Sequence, residues 1–377
     1  MKKMPFIFGK IAEMQNFTDR EKESQRLYQN FFSLINTTII SPRRWGKSSL
    51  VKLVSKSLSI DNKDYIVCLI DIFNVKDESD FYLNFAKNIL KATSTKWEDW
   101  LENAKEFMSR LIPKISFSPD NQAEFAFGID FEEIKRNPDD ILELAETIAK
   151  KKDLKMIVCI DEFQNIANFE NPLAFQQKLR SHWQHHQNVC YCLYGSKRHM
   201  LIDIFSNPSM PFYKFGDIMF LEKIDNKIWG KFIQKRFKET GKTITKKEGE
   251  YLAALVANHP YYVQQLAQMS WLRTNIYCSK TIIDDSLQTL KNQLSLLFSG
   301  LSETLTATQL NFLKALLDGI TSFGQENLQK YNLGTSANIL KIKDALLNKE
   351  IIDITPKKID IQDPVFALWL KEDYFTT

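Results

Sequence analysis

The sequence has no apolar run long enough to cross a bilayer; runs such as Ile66 to Ile70 and Met156 to Ile160 have the length of a strand. No membrane partner is therefore expected. The first ten residues are basic but lack the apolar segment and small-residue cleavage site of a signal peptide, so a cytoplasmic location is the expectation. Cysteine is sparse: five residues, an odd number without framework spacing, exclude a disulfide scaffold. Cys68, Cys159 and Cys192 fall inside apolar, strand-like runs, where a thiol acts as a small hydrophobe. Internal repeats and low-complexity tracts are also missing. No Ser-His-Asp or Cys-His nucleophile arrangement can be argued, and the net charge is only +4.

What is present is a foldable chain of 377 residues, 44% hydrophobic and 25% charged, too long for one ordinary core. The charge is unevenly placed. Residues 1–60 carry eleven lysines and arginines against four carboxylates, a positive field that suits a polyanionic ligand.

Strand and helix patterns alternate along the first part of the chain. Thr37 to Ile40 reads as a strand, Ser48 to Ser57 as a helix and Tyr65 to Phe73 as a second strand. A helix over Pro138 to Lys151, a strand at Met156 to Ile160, a helix over Leu173 to His186 and a strand at Val189 to Tyr194 continue the series. Such alternation predicts the α/β class, with a parallel sheet covered by helices. An insertion at about 94–137 interrupts it, with a helix around Trp97, Trp100 and Leu101 and a hairpin about Pro119-Asp120-Asn121. Apolar spacing then predicts a helical lid over 226–300, after a core spanning 1–225. Residues 301–377 give a helix capped by Thr306 and ended by Gly319, a short helix from Gln325 to Tyr331, and a third capped by Thr335 or Ser336. A hairpin through Ile352 and Ile361 completes the order of a winged helix.

The segment Ser41-Pro42-Arg43-Arg44-Trp45-Gly46-Lys47-Ser48-Ser49 lies between a predicted strand and a predicted helix. That is the setting of a phosphate-binding loop: backbone N–H groups point at the phosphates, Lys47 adds a charge, and Ser48 is placed to ligate Mg²⁺. Ser41 stands where the motif has its first glycine. A second motif ends the strand at Met156 to Ile160 with Asp161 and Glu162. Asp161 there can hold the Mg²⁺ shell, while Glu162 can polarise an attacking water. The next strand runs into Gly195-Ser196-Lys197-Arg198-His199, where Ser196 is a candidate γ-phosphate sensor and Arg198 faces either phosphate or solvent. His182, His185 and His186, on a predicted helix, with Cys190 and Cys192 nearby, have no regular zinc spacing and are read as structural.

With these motifs the chain resembles the archaeal-type ATPases, a STAND-like branch of the P-loop NTPases related to AAA+ proteins. The likeness rests on Phe17-Thr18-Asp19-Arg20-Glu21-Lys22-Glu23, on the double arginine Arg43-Arg44 after Pro42, and on Ile160-Asp161-Glu162-Phe163-Gln164. Gly195-Ser196 with His199-Met200, and His259-Pro260-Tyr261-Tyr262, are similar to its sensor strand and its lid motif. The family's glycine before the arginine is here Asp19. The resemblance implies that Phe17, Arg20 and Pro260 contact the adenine of ATP or ADP.

An ATP-hydrolysing switch, slow until a partner or an arginine from a neighbouring subunit completes the site, is the resulting expectation. The alternatives are a nucleotide-regulated DNA-binding protein and a nucleotide-locked scaffold. Residues 301–377 contain no arginine, and their carboxylates outnumber their lysines. Phosphate neutralisation supplies most non-specific DNA affinity, so a protein partner is favoured over DNA. Lys341, Lys343, Lys357 and Lys358 are the residues that could still form a basic patch.

Overall fold

The structure is a computed structural model that describes residues 4–10, 17–94, 138–355 and 358–376. The expected hairpin and tryptophan-bearing helix of the insertion, and Lys357, lie outside the described residues. The chain divides into two compact units: residues 20–41 with 50–221, and residues 1–19 with 42–49 and 222–377.

The first unit is built on a sheet of β1 (Thr37–Ile40), β2 (Tyr65–Asp71), β3 (Lys155–Asp161), β4 (Val189–Gly195) and β5 (Asp217–Phe220). Its order is β2-β3-β4-β1-β5 and every neighbouring pair is parallel. Every residue of β4, and β3 from Met156 to Ile160, is buried, which is why these segments read as continuous apolar runs rather than alternating ones. The short β5 carries no such run and escapes the sequence pattern.

The helices here are α1 (Glu21–Phe32), most of α2 (Lys47–Asp61), α3 (Glu78–Ala92), α4 (Pro138–Lys152), α5 (Pro172–Trp183) and α6 (Arg198–Ser206). Aromatic rings fill the core on one face: Trp183 stacks on Tyr191 at 4.0 Å, with Phe81, Phe85 and Phe163 around it. The helix expected to reach His186 stops at Trp183. Beyond it His186 turns its Nδ1 to the Tyr191 hydroxyl at 2.9 Å, and Glu146 takes both the backbone N–H and the side-chain amide of Asn188. These bonds draw the chain into β4 and end the helix.

In the second unit, helices α7 (Asn226–Glu239), α8 (Lys246–Leu255), α9 (Pro260–Arg273) and α10 (Lys280–Glu303) occupy the region expected as the lid. They are followed by α11 (Ala307–Leu317), α12 (Gln325–Lys330), α13 (Ser336–Asn348), the antiparallel pair β6 (Ile352–Ile354) and β7 (Ile359–Ile361), and α14 (Pro364–Trp369). One continuous apolar core runs from Trp229 and Leu266 in the lid to Phe312, Ile339 and Phe366 in the winged helix. Phe6 joins it at 6.3 Å from Phe232 and 5.8 Å from Phe237. Thr306 caps α11 in a reciprocal box with Gln309, and Gly319, at φ 82°, follows its end. Among the described residues no helix is long and apolar enough to cross a membrane.

Candidate nucleotide site

β1 ends at Ile40 and the chain passes through Ser41, which is buried. Ser41 is not among the residues with positive φ; the left-handed turns fall at Arg44 (φ 62°) and Gly46 (φ 92°). The serine therefore takes the glycine's place without strain, and the flexibility the loop needs is concentrated three to five residues later. A Cβ built on Gly46 would meet nothing within 4 Å, so open space adjoins the loop there. Lys47 is only 6% exposed, and its ammonium donates to the carbonyl of Pro42 at 2.9 Å. Lys47, Ser48 and Ser49 open α2, whose first turn has no carboxylate to cancel the partial positive charge of the helix start.

The two loop arginines reach other parts of their own unit. Arg44 places its guanidinium 4.4 Å from the centre of the Tyr261 ring, a cation–π distance. Arg43 stands 3.7 Å from the carboxylate of Glu350, at the end of α13. Pro260 is the first residue of α9, and His259 before it is buried. Next to it Tyr262 donates its hydroxyl to Asp363, the residue that caps α14. Trp45 and Phe17 are half-buried.

The carboxylates predicted at the sheet end stand at the C-terminal edge of β3. Asp161 Oδ1 accepts the backbone N–H of Glu162 at 2.9 Å, and its strand position pairs with Asp71 of β2. Glu162 adopts a left-handed backbone, φ 56°. Its Oε2 accepts from the backbone N–H of Ser196 at 3.2 Å, from Ser196 Oγ at 3.0 Å and from Gln164 Nε2 at 2.5 Å. Glu162 and Ser196 are thus brought together across β3 and β4. Arg198 begins α6, with its guanidinium 6.0 Å from the Phe220 ring. Arg20, in the same unit, is buried and pairs with Glu23 at 2.8 Å.

His182 bonds Glu143 at 2.7 Å, His186 bonds Tyr191, and Cys190 and Cys192 are buried. Among the described residues no group of three or more His, Cys, Asp or Glu side chains is placed to hold a metal ion. Burial pushes the Cys159 and Cys190 thiols well above the ordinary cysteine range. Burial likewise holds His186 below the usual histidine value. The residues to which sequence motifs gave no individual role are Gln164, Tyr261, Glu350 and Asp363. The first two sit inside recognised motifs. Glu350 carries no local signal, since its partner Arg43 lies far away in sequence; Asp363 has the local pattern of a cap before Pro364, but its bond to Tyr262 does not show in sequence.

Residues 296–372 match the family model described as "Probable winged helix domain". No curated protein sequence matches the chain. Among solved structures it is similar to the Walker-type ATPase of Pyrococcus abyssi, at 18% identity and a TM-score of 0.66, covering 98% of this chain and 100% of that one. The chain has the P-loop ATPase fold. The Aeropyrum pernix ORC2 protein, solved as ADPNP-ADP complexes, shares this ATPase fold at 12% identity and a TM-score of 0.59, covering 99% and 100% of the two chains. The ORC1 protein of the same organism, solved in complex with DNA, is similar at 12% identity and a TM-score of 0.50, covering 96% of this chain and 94% of that one. The winged helix that follows this ATPase fold is thus supported by its own family model.

Proposed function

We propose that the chain binds ATP with Mg²⁺ and hydrolyses it, and that its nucleotide state governs how the winged helix is held. The observation that carries the switch reading is that the phosphate loop's own arginines touch the lid at Tyr261 and the winged helix at Glu350. A ligand that reorders this loop acts directly on both contacts. The residues fit a nucleotide. The loop has left-handed turns at Arg44 and Gly46, open space beside Gly46, a lysine at its end and a helix start without acid. Lys47 would meet the phosphates, Ser48 and Asp161 the magnesium, and Ser196 the terminal phosphate, with Glu162 as base for the water. The magnesium would supply charge neutralisation during phosphoryl transfer. Arg20, Phe17 and Pro260 are proposed for the adenine, Pro42, Arg43, Arg44, Trp45 and Ser49 as the remaining loop residues around the nucleotide, and Arg198 for phosphate.

The test uses the full chain with Glu162→Gln, which should bind ATP normally and turn it over at least about 100-fold more slowly. With ATP held in this variant, amide hydrogen exchange over residues 336–361 should differ from that of the nucleotide-free protein. Identical exchange in the two states would remove the switch while leaving the ATPase.

A nucleotide-regulated DNA-binding protein is the second reading, favoured by the winged helix and by the DNA complex of the ORC1 protein. The surface of α13 argues for protein instead. Leu340 is 64% exposed there, Lys343 lies 5.5 Å from the Phe323 ring, and Lys358 in the wing is bonded to Asp360 at 2.7 Å.

A further inference from the structure

Gln164 follows Glu162 by two residues, in the 3-10 turn of Phe163–Asn168 after β3, and is only 1% exposed. A carboxamide in so dry a position needs a reason, since buried amides are uncommon and must be hydrogen-bonded. Its Nε2 donates to Glu162 Oε2 at 2.5 Å. The opposite amide orientation would face Oε1 to a carboxylate oxygen, two acceptors together, so the hydrogen-bond pattern fixes the assignment. Its Oε1 is buried with no hydrogen-bond partner among the described residues. Half of the amide's bonding capacity is thus given up, which stability alone does not favour.

The neighbouring strand makes room for this arrangement. A Cβ on Gly195, the last residue of β4, would fall 1.8 Å from Gln164 Oε1 and 3.3 Å from the Glu162 Cα. Only a glycine leaves the amide its place across the strand end. Ser196, next in the chain, supplies two more donors to the same carboxylate oxygen, at 3.2 and 3.0 Å. Glu162 itself is held in a left-handed conformation that residues with a side chain adopt uncommonly. Three donors on Oε2 fix the plane of the carboxylate and leave Oε1 as the oxygen that can act on something else.

We propose that Gln164 is a positioning residue for hydrolysis: together with the backbone N–H of Ser196 it clamps Glu162 Oε2 so that Oε1 is presented to the attacking water, which leaves the Ser196 hydroxyl able to turn to the terminal phosphate. The inference rests on the reading of Glu162 as the base. In the step it serves, Oε1 takes a proton from water as the water oxygen bonds to the terminal phosphorus. The bond from that phosphorus to the bridging oxygen breaks, ADP leaves with the electron pair, and the proton returns to solvent.

The experiment compares Gln164→Leu and Gln164→Met in the full chain, two apolar variants of similar length, with folding checked by circular dichroism. Expected is a kcat lower by about 10- to 100-fold, with the KM and calorimetric Kd for ATP within about threefold of wild type. In a Glu162→Gln background the same substitutions should lower the residual turnover no further, because the group they orient is already gone. Gln164→Glu should regain turnover as the pH is lowered and its carboxyl group becomes a donor, a response that simple loss of packing would not give. Wild-type turnover in both apolar variants while Glu162→Gln is inactive would overturn the inference and leave the base in place. An equal loss in the two backgrounds would overturn it in favour of packing. Wild-type turnover in Glu162→Gln would remove the base and the inference together.

Discussion

Lys47 is buried at the start of α2, and its charge is satisfied by the loop carbonyl of Pro42. A phosphate offers that ammonium a stronger partner, because the acceptor is then ionised as well as the donor. Lys47→Ala should lower ATP affinity by about 100-fold by calorimetry, the loss expected for one such bond; unchanged affinity would remove the loop from the site. His259 provides a second test at this scale. Burial first, and then the positive charges of Arg44 and Lys223, hold it down at about 4. The folded protein keeps the imidazole neutral while the unfolded chain takes up a proton below about 6.5, so the unfolded state binds more protons between these values. The stability contributed is present above about 6.5 and lost as pH falls toward about 4. His259→Gln should therefore shrink the drop in melting temperature between pH 7 and pH 5. A drop as large as in wild type would place the acid sensitivity elsewhere.

Among the elements, α11 shows how sequence and structure coincide where the signal is local. Thr306 accepts the N–H of Gln309 at 3.2 Å, and the Gln309 side chain returns to the Thr306 N–H at 3.0 Å. Both halves of the box lie within four residues, so the pattern is visible without any tertiary information. Thr306→Ala should weaken α11 by about 1 kcal/mol, read as faster amide exchange in that helix. Exchange at the wild-type rate would mean that packing of Phe312 and Leu313 alone sets its stability. The loop at 42–49 behaves differently. Its motif was legible, yet its arginines find Tyr261 and Glu350, hundreds of residues away in sequence.

For the whole molecule the decisive balance is between the winged helix and its charge. The module has no arginine, and Lys343 and Lys358 are engaged with Phe323 and Asp360. Fluorescence anisotropy of the full chain with mixed-sequence duplex at physiological salt should show weak binding or none, with or without ATP. Sub-micromolar affinity that is lost when Lys341, Lys343 and Lys358 are replaced would establish the DNA reading instead.

The strands β1 to β4, the helix α4, the loop between β1 and α2, the carboxylates after β3 and the winged-helix order were all readable from the sequence. Each depends on burial period, on a cap or on a spacing within about ten residues. Other features depended on tertiary structure. β5 is a strand because β1 offers it an edge, and Phe6 is a core residue because the lid helices close around it. α5 stops at Trp183 because His186 and Asn188 have partners on β4 and α4. Gln164 acquired its place for the same reason: sequence put it in a motif, but only the close approach of β3 and β4 sets a bare Gly195 beneath its amide and two donors of Ser196 beside the carboxylate it holds. Local chemistry determined which groups could take part, and long-range packing decided which of them meet.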